Sequence, residues 1–325
     1  MSDGALRVLD GTQIEAVDLS LPEPDVIFSG AQILDIADSR ASDSLFGLPL
    51  PELIRVSALS RIVANDADTF RSSEFTKDKA SELFKDYIAA ITDELKGDPL
   101  VVSILDGNTL RLFLEDEDDF AMLAENVFTD LDVEDKGKIS RSEIRNALVQ
   151  MGAEMGVPPF SEYPQLNDIL RKHGADGEEQ LGQAQFAQLL QAVLQDLAEQ
   201  LSQNNVIFIQ NIKIINGSKL RQLLANEKEL SRVAEKLVQE KENSKSRSGN
   251  KEVLRGFLER NAKELSLPVS EADEAVVLLY DDIFADLGKE EHGESDKDEL
   301  VRLLKETLQK FAEQLESNPV FQDFA

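Results

Sequence analysis

LLQAVLQDLAEQLSQNNV, residues 189–206, and LLKETLQKFAEQLESNPV, residues 303–320, align without a gap. In the first of them Leu190, Val193, Leu194, Leu197 and Leu201 recur at three- and four-residue spacing, which puts them along one face of a helix. Asn204 and Asn205, or Asn318 and Pro319, then stop that helix. Such a stripe reads as a buried core face in preference to a cofactor seat. The earlier stretch YIAAITDELKGDPL, residues 87–100, is a fainter version of the same ending. The chain therefore carries one unit three times.

The copies also open alike. Leu9-Asp10-Gly11, Leu105-Asp106-Gly107 and Ile215-Asn216-Gly217 each join an apolar residue, Asp or Asn, and Gly, with Asn216 lying 110 residues beyond Asp106. Asp-Gly and Asn-Gly suit hairpins, but Thr12, Asn108 and Ser218 come next, all good helix caps. Ile14 and Val17, then Leu110, Phe113 and Leu114, then Leu220, Leu223 and Leu224 follow at helical spacing. The pattern predicts a turn and a short helix.

Midway through each copy stands a hinge: Met155-Gly156-Val157-Pro158-Pro159, echoed by Phe46-Gly47-Leu48-Pro49 and Leu265-Ser266-Leu267-Pro268. Proline has no N–H to donate, so it separates two helical halves. Each copy reads as helix, loop, helix, linker, helix, loop, helix. The expected fold is all-α, in three tandem units at 1–103, 104–211 and 212–325, with little strand signal beyond the junction from Val206 to Ile215.

One loop carries an ion-binding pattern. Residues 132–143 read DVEDKGKISRSE, preceded by FTDL and followed by IRNALVQM. A hard dication takes six to eight oxygens, so carboxylates at short spacing surround a tight glycine turn and a later glutamate closes the cage. On these residues the chain resembles the EF-hand calcium-binding superfamily, and within it multi-EF-hand proteins of the plant type with mostly degenerate loops. The resemblance implies paired EF-hand-like motifs in each unit and Ca²⁺ as the ion. Its implied ligands are Asp132, Glu134, the main-chain carbonyl of Lys138, Ser140 and Glu143. Gly137 makes the turn, and Ile139 is the apolar residue that pairs neighbouring loops. Ser140 and Glu143 also form S-x-x-E, a capping box that starts a helix with or without metal.

Two departures matter. Glu134 is longer than the Asp or Asn the family prefers, and Lys136 at the fifth position cannot coordinate a cation. An ammonium held about 6 Å from a dication costs a few kcal/mol at an effective dielectric near 20. The affinity expected is roughly 10⁻⁴ M or poorer.

The remaining loops are poorer still. GADGEEQLGQAQ, 174–185, keeps Leu181 at the apolar position but has Gly174 and Gln185 where acids belong, leaving Asp176 and Glu178. GKEEHGESDKDE, 288–299, retains Glu290, Gly293 and Glu299, begins with Gly288 and carries His292. KENSKSRSGNKE, 241–252, is basic, with Glu252 at the place of Glu143. In the first copy VANDADTFRSSE, 63–74, keeps Glu74, and its earlier loop is expected between Ile36 and Leu45 with nothing recognisable left.

Composition narrows the function. The 325 residues carry a net charge of −29, which repels phosphate backbones and anionic membranes and attracts cations and basic peptides. The absence of cysteine excludes disulfides, Cys-ligated zinc, iron–sulfur clusters and thiol nucleophiles. The N-terminal residues lack a basic start and an apolar core, and Val206 to Ile209 is too short a run to span a bilayer, so a cytosolic or nuclear protein is expected. With two histidines, no G-x-S-x-G and no nucleotide motif, no enzyme is expected. Asp116-Glu117-Asp118-Asp119 reads as a solvated helix start, where carboxylates favour the positive end of the dipole. Ser244-Lys245-Ser246-Arg247-Ser248 reads as a flexible loop, with a kinase target or nuclear address as its rival.

Two functions stay open. One is a weak calcium sensor or buffer in calcium signalling, in which the ion exposes Phe120, Val127, Phe128, Leu131, Ile144 and Leu148 to a partner. The other is a calcium-independent scaffold or interaction module that holds an amphipathic or basic helix of a partner protein. Four methionines argue against a Met-rich promiscuous groove.

Overall fold

The computed structural model describes residues 6–22, 27–63, 66–243, 249–269, 274–287 and 296–323. These are mostly helical, with fifteen α-helices and nine short strands, so the helical expectation holds in that coarse sense. The chain forms two compact units. Unit 1 comprises Met1–Val8 and Val101–Gln210, and unit 2 comprises Leu9–Leu100 and Asn211–Ala325.

In chain order, β1 is Leu6–Leu9. The first stretch of unit 2 then holds β2 (Ile27–Ser29), α1 (Gly30–Ser44), α2 (Glu52–Ile62), α3 (Ala67–Ser72), β3 (Glu74–Thr76) and α4 (Lys77–Gly97). Unit 1 continues with β4 (Leu100–Leu105), α5 (Asn108–Glu115), α6 (Glu117–Leu131), β5 (Ile139–Ser140), α7 (Ile144–Met151), α8 (Leu166–Lys172), β6 (Gln180–Leu181), α9 (Gln183–Gln203) and β7 (Val206–Ile209). The second stretch of unit 2 holds β8 (Ile212–Ile215), α10 (Ser218–Ala225), α11 (Glu227–Asn243), α12 (Asn250–Arg260), α13 (Ala262–Leu265), α14 (Glu274–Ala285), α15 (Asp296–Ser317) and β9 (Val320–Asp323).

The helices form because their apolar stripes find a core. Phe186, Leu190, Val193, Leu194, Leu197 and Leu201 of α9 are fully buried against Phe120, Val127 and Phe128 of α6 and Ile144 and Leu148 of α7. In unit 2, Leu304, Leu308 and Phe311 of α15 pack with Leu237, Leu254, Phe257 and Tyr280. The rings of Phe128 and Phe186 meet edge-on at 5.6 Å, as do Tyr280 and Phe311 at 4.8 Å. Each such side chain contributes about 1.5–3 kcal/mol on burial, which outweighs the few tenths from helix propensity. The acidic run also behaves as read. Asp116 caps α6, its carboxylate accepting from the N–H groups of Asp118 and Asp119.

Strands are more numerous than the sequence suggested. β4 lies between β1 and β7 in one sheet, antiparallel to β7 from Val102↔Ile209 to Leu105↔Val206. β8 and β9 pair antiparallel from Ile212↔Asp323 to Ile215↔Val320. Strands of four to six residues with weak alternation leave little pattern in sequence.

The opening motif has a physical reason. Gly11, Gly107 and Gly217 have φ of +89°, +80° and +76°, and a Cβ on them would sit 2.6, 2.3 and 2.5 Å from the carbonyl oxygens of Thr92, Ala198 and Ala312. Glycine is thus required twice over, for its left-handed backbone and for close approach to the closing helix. The preceding Asp10, Asp106 and Asn216 side chains accept from the N–H of Thr12, Asn108 and Ser218 at 3.1, 3.0 and 3.1 Å. The N-cap residues of α5 and α10 are the glycines Gly107 and Gly217 themselves, with Asn108 and Ser218 the first helical residues, a correction to the reading of Thr12, Asn108 and Ser218 as caps. α5 and α10 follow as expected, but residues 12–16 form successive turns, with Ile14 N–H to Gly11 O and Val17 N–H to Ile14 O, both 3.0 Å.

Candidate functional site

The best ion-loop pattern begins where α6 ends. Asp132 folds it: one carboxylate oxygen accepts from the Lys136 N–H at 3.0 Å and the other from the Gly137 N–H at 2.6 Å. Gly137 takes φ +67° and Asp135 φ +49°, the left-handed residues of a tight turn. Buried Ile139 then pairs with buried Leu181 through β5 and β6, joining loops 132–143 and 174–185 at the two positions read as apolar bridge residues.

Beyond the bridge, protein groups hold the loops together. The N–H groups of Arg141 and Ser142 donate to Glu179 O at 2.8 Å and Gly177 O at 3.1 Å. Ser140 Oγ donates to Gly177 O at 3.3 Å. The Arg141 guanidinium crosses to the second loop, donating to Glu179 Oε2 at 2.8 Å and His173 O at 3.1 Å, and it lies 3.6 Å from where a Gly174 Cβ would stand. An organic cation thus covers the early half of the loop that has lost its first acid.

The other ligand candidates are engaged elsewhere or exposed. Glu134 pairs with Lys136, both on the surface. Glu143 Oε2 accepts from Asn146 Nδ2 at 2.6 Å, so the expected capping box with Ser140 does not form, and Ser140 turns to Ser142 and Gly177 instead. Lys138 is exposed, as are Asp176 and Glu178. Among the described residues no three His, Asp or Glu side chains converge as a metal cage. The donors fit a hard dication in chemistry, and the Asp132–Gly137 turn fits it in shape. The Asp132, Glu134 and Glu143 carboxylates each already have a protein partner, which an ion would have to share or displace.

The second loop is anchored on α9. Asp196 accepts from Lys172 Nζ at 2.7 Å, from Gln200 Nε2 at 3.1 Å, and meets His173 Nε2 at 3.1 Å. Burial raises the Asp196 pKa, but these hydrogen bonds outweigh it and hold the carboxyl below its ordinary range. Tyr163 Oη extends the chain to Gln200 at 3.2 Å. Gln185, in the closing position, turns back to accept from the Gly182 N–H at 3.1 Å, doing a helix cap's work.

In the first copy the paired segments lie elsewhere than expected. β2 and β3 pair through Phe28↔Phe75, and residues 36–44 are helical within α1, so no loop lies between Ile36 and Leu45. Glu74 sits in β3, where it cannot close a loop at the start of a helix. Ser29 and Gln32 form a complete capping box ahead of α1, at 2.8 and 3.2 Å. S-G-A-Q before Ile33 and Leu34 was the signal that could have located this segment. Arg141, Asn146 and Asp196 had no comparable signature.

In the third copy Glu252 lies inside α12 and buried Glu299 accepts from Asn250 Nδ2 at 2.9 Å. Glu290, His292, Gly293 and the stretch Ser244 to Ser248 lie outside the described residues. No helix among the described residues is long and apolar enough to cross a membrane. The residues proposed for calcium-dependent exposure, Phe120, Val127, Phe128, Ile144 and Leu148, are buried here, and Leu131 is half-buried. No protein-family model, curated protein or solved structure matches the chain.

Proposed function

We propose that this chain is a non-enzymatic helical protein of EF-hand type, three tandem units of paired helix-loop-helix motifs, whose loop 132–143 is a low-affinity calcium site. The observation that carries the reading is the Ile139↔Leu181 bridge beside an Asp132-capped glycine turn. The threefold glycine seat on the closing helix supports the tandem arrangement. Asp132, Glu134, Ser140 and Glu143, with the Lys138 carbonyl, would hold the ion, which would supply positive charge to draw the loop closed. Calorimetric titration tests it: weak heat at millimolar calcium, lost in Glu143→Gln, is expected. No heat at that concentration removes the calcium half.

A second reading is favoured by Arg141, whose guanidinium already bridges the loops. On it the pair is a calcium-independent interaction module, and its helices hold one arrangement with or without the ion. Circular dichroism and melting in calcium and in chelator distinguish the two. Identical curves support the module; a calcium-dependent rise supports the sensor.

A further inference from the structure

We propose that the groove between α11 and α15 seats one amphipathic helix of a partner protein, with a basic edge and an acidic edge flanking an aromatic face. The groove encloses about 430 Å³, with Leu230 and Val238 at its floor. Glu227 and Glu235 line the α11 rim, and Lys297 and Lys305 line the α15 rim. Each pair is eight residues apart, about 12 Å along its helix, so both rims run for two turns.

The repeat explains why a seat exists there. One repeat earlier, at 110 residues, Leu230 and Val238 correspond to Phe120 and Phe128 of α6, and at 114 residues, the spacing of the two closing helices, Leu300 of α15 corresponds to Phe186 of α9. In unit 1 those three rings are buried, two of them in edge-on contact. The third copy has smaller side chains at all three places. The acidic rim repeats Glu117 and Glu125, whereas Lys297 and Lys305 replace Gln183 and Gln191. Two of the lost rings, at Leu230 and Val238, and a new basic rim thus coincide on one surface, with Leu300 buried beneath it.

Charge identifies the occupant. A uniformly basic helix gains at Glu227 and Glu235 but meets repulsion at Lys297 and Lys305, and an acidic one the reverse. A helix with one edge of each sign gains at both rims. Aromatic side chains on its face supply the volume the groove lacks. The inference does not depend on the calcium affinity of the 132–143 loop.

The test uses the full chain and labelled synthetic helices followed by fluorescence anisotropy. One peptide carries Phe on its apolar face, Lys along one edge and Glu along the other; a second keeps the face and has Lys on both edges. The mixed-edge peptide is expected to bind at least about fivefold tighter, the worth of two rim charges. Leu230→Phe with Val238→Phe restores the rings and should weaken it about tenfold. Lys297→Glu with Lys305→Glu should reverse the preference toward the all-basic peptide, and decides alone if the filled variant does not fold. The proposal is overturned if the mixed-edge peptide does not bind at millimolar concentration, or if the all-basic peptide binds wild type equally well. Unchanged binding by a folded, filled variant, or a second copy of this chain found in the groove by light scattering of the charge variants, overturns it too.

Discussion

Substituting Gly107 by alanine isolates the feature that repeats most faithfully. Two costs follow from its geometry. A left-handed φ of +80° costs a residue with a Cβ about 1 kcal/mol. The added carbon would also stand 2.3 Å from the Ala198 carbonyl oxygen and about 3 Å from its carbon, so α9 must retreat by about 1 Å, overpacking that costs about 1–3 kcal/mol. Together they predict a loss of about 2–4 kcal/mol. Gly137 supplies the control, because its φ of +67° carries the first cost while a Cβ there meets nothing within 4 Å. Gly137→Ala should lose only about 1 kcal/mol. The assay is urea unfolding followed by amide signals of α9, since a chain of two units need not unfold in one step. Equal destabilisation by the two substitutions would refute the packing argument, leaving backbone conformation as the whole reason for the motif.

Arg141→Met removes the guanidinium from Glu179 and the His173 carbonyl; because Glu179 is exposed, most of the loss of about 1–2 kcal/mol comes from the carbonyl bond. Hydrogen exchange at Leu181 should quicken, and an unchanged rate would remove the bridging role. Asp196 has a pKa below its ordinary value of 3.8, so its stabilisation is complete above that pH and fades as pH falls toward the lower folded value. Asp196→Asn should therefore melt earlier than wild type at pH 6 and converge with it in stronger acid; a constant gap down to pH 2 would contradict the assignment. Ser29→Ala should cost about 1 kcal/mol through loss of the capping box ahead of α1, and a variant as stable as wild type in thermal melts would show the box idle.

Much of the fold was legible because helices advertise themselves by period. The stripe of α9 and its likeness to α15 gave both elements and their burial. The Ile139 and Leu181 bridge was also readable, since an apolar residue at a fixed place in each loop marks it. Of the opening strands, β8 lies in the Val206–Ile215 junction where the sequence carried strand signal, but β1 and β4, four and six residues long, were not legible. The first copy misled because its paired segments lack the acid-and-glycine spacing of loop 132–143, and the Ser29 and Gln32 box was the clearer mark. Within the loop, Glu143 and Ser140 had two readings in sequence, ligand or cap, and the structure gives a third: Glu143 bonds to Asn146 and Ser140 to the neighbouring loop. Such choices depend on cross-loop neighbours like Gly177, 37 residues away, which no local pattern encodes.

Protein contacts pair loops 132–143 and 174–185, and in the proposed function calcium adds only a weak contact to that pairing. Amide-resolved NMR, starting in chelator and titrated with calcium, tests it directly. The account predicts that the Ile139 and Leu181 amides are already protected in chelator, and that the Gly137 amide moves downfield with a dissociation constant of about 10⁻⁴ M or weaker. Unprotected bridge amides that order only on adding micromolar calcium would contradict it.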